Sequence, residues 1–270
     1  MVLFAYVFAA FLARPDWSAV LRATLVPHLE LSRAFLMTLV AIFGTTISPY
    51  LFFWQAAQAV EVDKAAGKHT IVQRMGASDQ ELRAARNDVV TGMFFSNSIM
   101  FFIILTTGAT LHATGQREIA TAVQAAQALE PLAGHGAALL FALGIIGTGL
   151  LGVPVLAGSV AYAVAEAGKW RMGMDEKARR AKRFYSVLGV AMVAGMAMDL
   201  AGLDAIKMLF WSAVLNGVLA PPLIVIILIV SNNRAVMMER VNGRWLNALG
   251  GLTALVMGGA AAGMLYSFFH

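Results

Sequence analysis

The sequence has no cysteine, so disulfides, thiolate chemistry and cysteine-type metal sites are excluded. It is also poor in charge, with 13% Asp, Glu, Lys and Arg against roughly 25% in a typical soluble domain. Apolar residues make up 59% of its 270 positions, and the mean hydropathy is +0.73. This balance excludes a soluble globular enzyme, a disordered chain and a nucleic-acid-binding domain, and makes lipid the expected solvent. Catalytic signatures are lacking as well. There is no HExxH or other two-His spacing, since His28, His69, His112, His135 and His270 lie in loops or at ends; there is no GxSxG and no Walker sequence. Gly144, Gly147 and Gly149 read as helix packing rather than a nucleotide loop. The formal charge of +5 is read as topology rather than as an acidic partner.

Long charge-free runs divide the chain. They predict an all-α polytopic membrane protein with spans at about 1–13 (partial), 34–60 (broken at 48–49), 89–109, 136–165, 184–202, 208–231 and 246–269, in a single transmembrane domain. The first run has 13 residues before Arg14-Pro15, a reach of roughly 20 Å against a hydrocarbon core of about 30 Å. It reads as the second half of a helix rather than a signal peptide, because nothing basic precedes it and no small-residue cleavage site follows. Basic residues alternate between connections. Five lie in 61–88 (Lys64, Lys68, Arg74, Arg83, Arg86), seven in 168–183 and three in 231–244 (Arg234, Arg240, Arg244), against three, one and one elsewhere. The positive-inside rule places those three rich connections in the cytoplasm. The cluster Arg179-Arg180-Ala181-Lys182-Arg183 is a topology anchor with anionic lipid as a secondary contact.

Residues 16–33 and 117–130 have helical spacing and are expected to lie along the outer surface. In 76–87, Ser78 followed three residues later by Glu81 forms a capping-box pattern for a short cytoplasmic helix.

The run 34–60 is the most informative. Gly44, Thr45, Thr46, Ile47, Ser48, Pro49 and Tyr50 concentrate helix-breaking features near its midpoint. One reading is a proline kink relieved by Thr and Ser hydroxyls. The other is a broken helix lining a cavity, whose unwound carbonyls coordinate a cation. Gln55 lies seven residues beyond Ser48 and Gln58 three beyond that, a polar stripe leading inward from the break. Asn97 and Asn216 each sit about nine residues into their spans, either as interhelical hydrogen-bond partners or as pathway residues. Asp199 is the one carboxylate that could be intramembrane, and its place near the outer edge favours a surface position. Glu166 ends its span at the cytoplasmic side.

These segments resemble the Nramp family of divalent metal-ion transporters. Residues 44–55, Gly-Thr-Thr-Ile-Ser-Pro-Tyr-Leu-Phe-Phe-Trp-Gln, lie where that family has its Met-Pro-His-Asn sixth helix. Phe94-Phe95-Ser96-Asn97 is similar to the Phe-Phe-x-Asn that opens its seventh helix. Gly144 to Glu166 resembles the small-residue-rich eighth, and residues 208–230, with Asn216 and Pro221-Pro222, the tenth. Three segments agree in order and spacing and none matches strictly. The resemblance covers the whole chain but only the back part of the family, from within its fifth helix.

The resemblance implies a LeuT-type inverted-repeat fold with the second repeat complete at 34 to about 230 and the first largely missing. It implies divalent metal-ion transport (Mn²⁺ or Fe²⁺, with Mg²⁺ added by the departure at position 48) by alternating access, as a truncated or split transporter, and no enzymatic activity. The alternative is a non-transporting structural or partner membrane subunit. The metal site implied for this chain is the Thr45 carbonyl with Ser48, which stands at the family's Met position. Tyr50 replaces the family's His, in a region to which it ascribes proton coupling, and Leu51 replaces its Asn. The family's first-helix Asp and Asn have no counterpart. Tyr50, Gln55, Asn97 and Asn216 would line the pathway. A hydroxyl at position 48 is harder than a thioether, so relaxed selectivity toward Mg²⁺ is expected. The implied partners are a divalent cation as substrate rather than cofactor, protons, lipid and a missing N-terminal half, in a bacterial inner membrane.

Overall fold

A computed structural model of the chain describes residues 4–26, 30–113, 115, 119, 122–130 and 134–269. Among them all regular structure is helical. The helices are α1 (Ala5–Leu12), α2 (Trp17–Leu25), α3 (Arg33–Thr46), α4 (Pro49–Ala65), α5 (Asp79–Thr107), α6 (Ala122–Ala126), α7 (Ala137–Ala167), α8 (Lys182–Leu200), α9 (Ala205–Ser231), α10 (Arg234–Met237) and α11 (Arg244–Phe269).

Capping residues set where several of these begin, because the first turn of a helix has backbone donors with no partner inside it. The Asp16 carboxylate accepts from Ser18 N at 2.9 Å and Ala19 N at 3.3 Å, and the Ser32 hydroxyl accepts from Phe35 N at 3.3 Å. Asp204 accepts from Ile206 N at 3.0 Å and Lys207 N at 3.1 Å, and its carboxylate lies 3.4 Å from the Lys207 ammonium. Both acids therefore titrate below the usual carboxylate range. The Ser18 hydroxyl is the main cause at Asp16, and the Lys207 N–H at Asp204.

The capping box at Ser78 forms in full. The Ser78 hydroxyl accepts from Glu81 N at 3.2 Å, and Glu81 accepts from Ser78 N at 2.7 Å. The helix it starts is not the short one expected from the sequence. α5 runs 29 residues, because no proline interrupts it between Asp79 and Thr107, and a π-helical turn at Gly108–His112 extends it. Of the two expected surface helices, the first appears as α2, with residues 27–29 outside the described ones. In the second, residues 117, 118, 120 and 121 are likewise outside them, and α6 with a 3₁₀ turn at Gln127–Leu129 covers the rest.

Among the described residues, six helices are long and apolar enough to cross a membrane: Arg33–Ala65 (α3 and α4 together), Asp79–His112, α7, α8, α9 and α11. Large apolar side chains stand outward along them, Leu151 at 76% exposure and Leu255 at 75% among them. Such patches are rare on soluble monomers and normal where lipid is the solvent. α1, at 8 residues, is too short to span.

Packing divides the chain into two units, Met1–Leu29 with Ser78–Val153, and Glu30–Ala77 with Pro154–His270; the division falls within α7 at Pro154. In the first unit α1 lies on α5. Ala5, Tyr6, Ala9, Leu129 and Ala137 form its core, with Phe102 and Phe141 against it. The fully buried Thr106 hydroxyl donates to the Tyr6 carbonyl at 2.9 Å, tying together segments 100 residues apart. Gly147 and Gly149, read from the sequence as packing glycines, have no described neighbour within 4 Å of an added Cβ. Helix contact does not explain them here.

The second unit has two cores. In one, α3, α9 and α11 pack through Leu36, Val40, Ala41, Ala213, Val214, Ala261 and Met264. The Arg33 guanidinium lies 3.8 Å from the centre of the Phe268 ring, joining the start of α3 to the end of α11. In the other, Ala161, Tyr162, Ala165, Ala181 and Phe184 gather Trp54 of α4, Trp170 and Met174.

Candidate ion site at the helix break

The helix interruption is narrower than the sequence suggests. α3 continues through Thr46, and only Ile47 and Ser48 leave helical geometry before α4 starts at Pro49. Ser48 is extended, at φ −83° and ψ 122°, as expected of a residue that precedes proline. Proline is tolerated where it stands because the first helical position has no intrahelical partner for an N–H. Gly44, counted with the breakers, is instead helical, and its place is explained by a close approach. A Cβ there would lie 2.0 Å from the Ala213 carbonyl oxygen and 2.4 Å from Gly217 N. The converse holds for Gly217, whose Cβ would lie 2.2 Å from the Val40 carbonyl oxygen. The last turns of α3 and the middle of α9 thus meet backbone to backbone, as small residues allow in membrane helices.

Hydroxyls satisfy the carbonyls near the break. Thr45 Oγ1 and Thr46 Oγ1 both donate to the Ile42 carbonyl, at 2.9 and 2.7 Å. Ser48 Oγ, in a residue only 2% exposed, donates to the Gly44 carbonyl at 2.8 Å and lies 3.3 Å from the Thr45 carbonyl. Ile47 N still reaches the Phe43 carbonyl at 2.9 Å. The two oxygens expected from the sequence, Thr45 O and Ser48 Oγ, are therefore neighbours. Their 3.3 Å separation is that of a weak hydrogen bond, with Ser48 Oγ as donor, and it leaves two hard oxygens side by side. Both lie at the carbonyl end of α3, where the helix dipole favours a cation.

The other expected residues are distributed unevenly. Tyr50 is half-buried on the first turn of α4, Gln55 is exposed and Gln58 half-buried farther along it. Asn216, half-buried, immediately precedes Gly217 and so stands on the turn of α9 that α3 touches. Asn97 belongs to the first unit, where its amide donates to the Met93 carbonyl of its own helix at 2.9 Å. Asp199 is exposed at the end of α8, and Glu166 is exposed at the end of α7. Among the described residues no group of three or more His, Asp or Glu could hold a metal ion, so no carboxylate cluster accompanies the oxygens at the break.

Sequence reasoning missed a polar junction at the far end of α4. The Glu61 carboxylate accepts from the Tyr162 hydroxyl of α7 and from Met174 N at 2.9 Å. Met174 N also reaches the Tyr162 oxygen at 3.0 Å, and the Tyr185 hydroxyl donates to the carbonyls of Met174 at 3.0 Å and Glu176 at 3.1 Å. The partners are 101 and 113 residues from Glu61, so no local pattern connects them. The one sequence signal is that Glu61 is the first charge after the run 34–60.

The chain is similar to curated transporters. It is 27% identical over 253 residues to a protein named divalent metal cation transporter MntH from Pectobacterium carotovorum subsp. carotovorum (strain PC1), covering 94% of this chain and 56% of that one. It is 27% identical over 263 residues to the MntH of Yersinia pestis (strain Pestoides F), covering 97% and 59%. The chain thus spans a little over half the length of the curated relatives it matches. A family model described as natural resistance-associated macrophage protein-like matches residues 1–267. With six membrane-length helices among its described residues, this chain is an integral, multi-pass membrane protein and belongs to the Nramp family.

Proposed function

We propose that the chain takes part in transmembrane transport of a divalent metal ion, by alternating access around the break at Ile47–Ser48. The observation that carries this reading is the convergence of Thr45 O and Ser48 Oγ, 3.3 Å apart, at the carbonyl end of α3 in an Nramp-family chain. The relatives' names, which specify divalent metal cations, support the substrate class. In this reading residues 34 to about 230 form one inverted repeat of a LeuT-type fold, with 61–88, 168–183 and 231–244 in the cytoplasm. Tyr50, Gln55 and Asn216 line the path. The membrane is a bacterial inner membrane.

Two consequences follow from the donors. A carbonyl and a hydroxyl are hard, so Mg²⁺ competes with Mn²⁺ and Fe²⁺. They are also neutral, and neutral oxygens at membrane depth hold a dication weakly. Transport therefore needs a carboxylate contributed from outside the break, on a partner segment. Position 50 holds a tyrosine and so lacks the imidazole with which a histidine could carry a proton.

The test is Mn²⁺ uptake into proteoliposomes containing the full chain. It is run alone and together with the portion of the Pectobacterium transporter that the chain does not match. Uptake in the pair, reduced by Ser48→Ala, is expected. No uptake in either preparation, with both proteins folded, would overturn the transport reading and favour a structural or partner subunit, the reading that the uncharged site suggests.

A further inference from the structure

We propose that the Glu61 junction is a latch on the cytoplasmic end of α4, and that its release lets α4 swing about Ser48 and open the space behind it. This rests on the transport reading above, since it supplies the moving element and the side it faces.

The two halves of the broken helix are anchored unequally. α3 buries Leu36, Val40, Ala41 and Gly44 against α9 and α11. α4 has 17 residues and fully buries only Pro49. A well-packed base is thus joined to a lightly packed lever through two non-helical residues, the geometry of a hinge. The rest of the hold on α4 is at its middle and far end. Trp54 meets Tyr162 edge to face at 5.9 Å, and about two helical turns later Glu61 takes the Tyr162 hydroxyl and the Met174 N–H.

The junction is built to close around this one carboxylate. Gly173 adopts φ +143°, and a Cβ there would stand 2.7 Å from Glu61 Oε1. The segment 168–181 therefore passes over the carboxylate at a distance only glycine permits. Tyr185 holds the same segment from its other side through the Met174 and Glu176 carbonyls.

Space lies on both flanks of the junction. A cavity of about 120 Å³ is bounded by Phe53, Ala57, Glu61, Tyr162, Glu166 and Met172. A second, of about 280 Å³, runs past Glu61 to Lys64, His69 and Asp175. The two share Glu61, Lys64 and Met172 as lining. Hydrogen bonds to a carboxylate can be exchanged for water there, whereas a dry apolar seal could not.

The absence of native cysteine allows a direct test. Ala57→Cys, in the wall of the smaller cavity, becomes the sole thiol. Its modification rate by a membrane-impermeant thiol reagent is measured from the cytoplasmic face of vesicles, in metal-free buffer. Adding Tyr162→Phe or Glu61→Gln is expected to raise the rate at least about fivefold, the shift that losing one net hydrogen bond gives. Gly173→Ala, which pushes the segment off the carboxylate, is expected to act in the same direction. Ala66→Cys, exposed beyond α4, serves as the reference and should react equally in every background. Tyr162→Phe keeps the ring in its apolar contacts, so it remains a fair test if Glu61→Gln fails to fold. An unchanged rate at Ala57→Cys with Tyr162→Phe, or an equal rise at Ala66→Cys, overturns the latch. Faster labelling in a chain that supports no metal uptake even together with the carboxylate-bearing partner segment would overturn the transport reading and leave the latch standing. Retained uptake with unchanged labelling would do the reverse.

Discussion

Gly44→Ala is the sharpest perturbation of this architecture. The new methyl would lie 2.0 Å from the Ala213 carbonyl oxygen, 2.4 Å from Gly217 N and 2.9 Å from Gly217 Cα. All three atoms are backbone, so no side chain can turn away. Restoring ordinary contact requires α3 and α9 to separate by about 1.4 Å at this crossing, which also loosens Val40, Ala213 and Val214. Overpacking costs about 1–3 kcal/mol in well-packed cores, and a backbone-on-backbone clash belongs at the upper end, about 3 kcal/mol. At about 2–4 °C per kcal/mol for a chain of this size, the melting temperature in detergent should fall by about 6–12 °C. Gly195→Ala is the control. Its added Cβ has no described neighbour within 4 Å, and in a helix interior the change should be neutral or stabilising by about 0.5–1 kcal/mol. If Gly44→Ala melts with Gly195→Ala and wild type, the close crossing of α3 on α9 is wrong.

Other consequences are smaller and local. Ser78→Ala removes the capping box and should cost about 1 kcal/mol, read as faster amide exchange over residues 79–82 rather than as a large change in melting. Asp204 titrates below its ordinary value in the folded chain, so its contribution is complete above the unfolded pKa of about 3.9 and is lost as pH falls through the folded value. Asp204→Asn keeps an acceptor at the start of α9 but should flatten the acid limb of melting temperature against pH; an unchanged acid limb would show that other carboxylates set it.

Much of this structure is legible from local pattern, because membrane helices declare themselves through apolar length and capping residues. The Ser78–Glu81 pair locates the start of α5, yet the same pattern does not say where the helix ends. Continuation depends on the lack of a proline over the next 29 residues. The heptad Gly44–Tyr50 marks the break, but composition overstates its width. Thr45 and Thr46 turn their hydroxyls onto Ile42 and let the helix persist, and Gly44 is there for α9 rather than to unwind α3. Thr45 and Ser48 are only three residues apart, so their meeting could be anticipated. Glu61, Tyr162 and Gly173 could not be joined by any periodicity, since their contact exists only once α4, α7 and the segment after it have packed. Pairings of that kind are set by tertiary structure, and a single sequence carries no trace of them.

The central claim is that hard oxygens at the break bind the transported ion, and ion competition tests it most directly. In proteoliposomes holding the chain with its carboxylate-bearing partner segment, excess Mg²⁺ should suppress Mn²⁺ uptake by wild type. Ser48→Met, which replaces a hydroxyl with a soft thioether, should largely restore Mn²⁺ uptake in the presence of Mg²⁺. Strong exclusion of Mg²⁺ by wild type, or competition unchanged by Ser48→Met, would contradict the account.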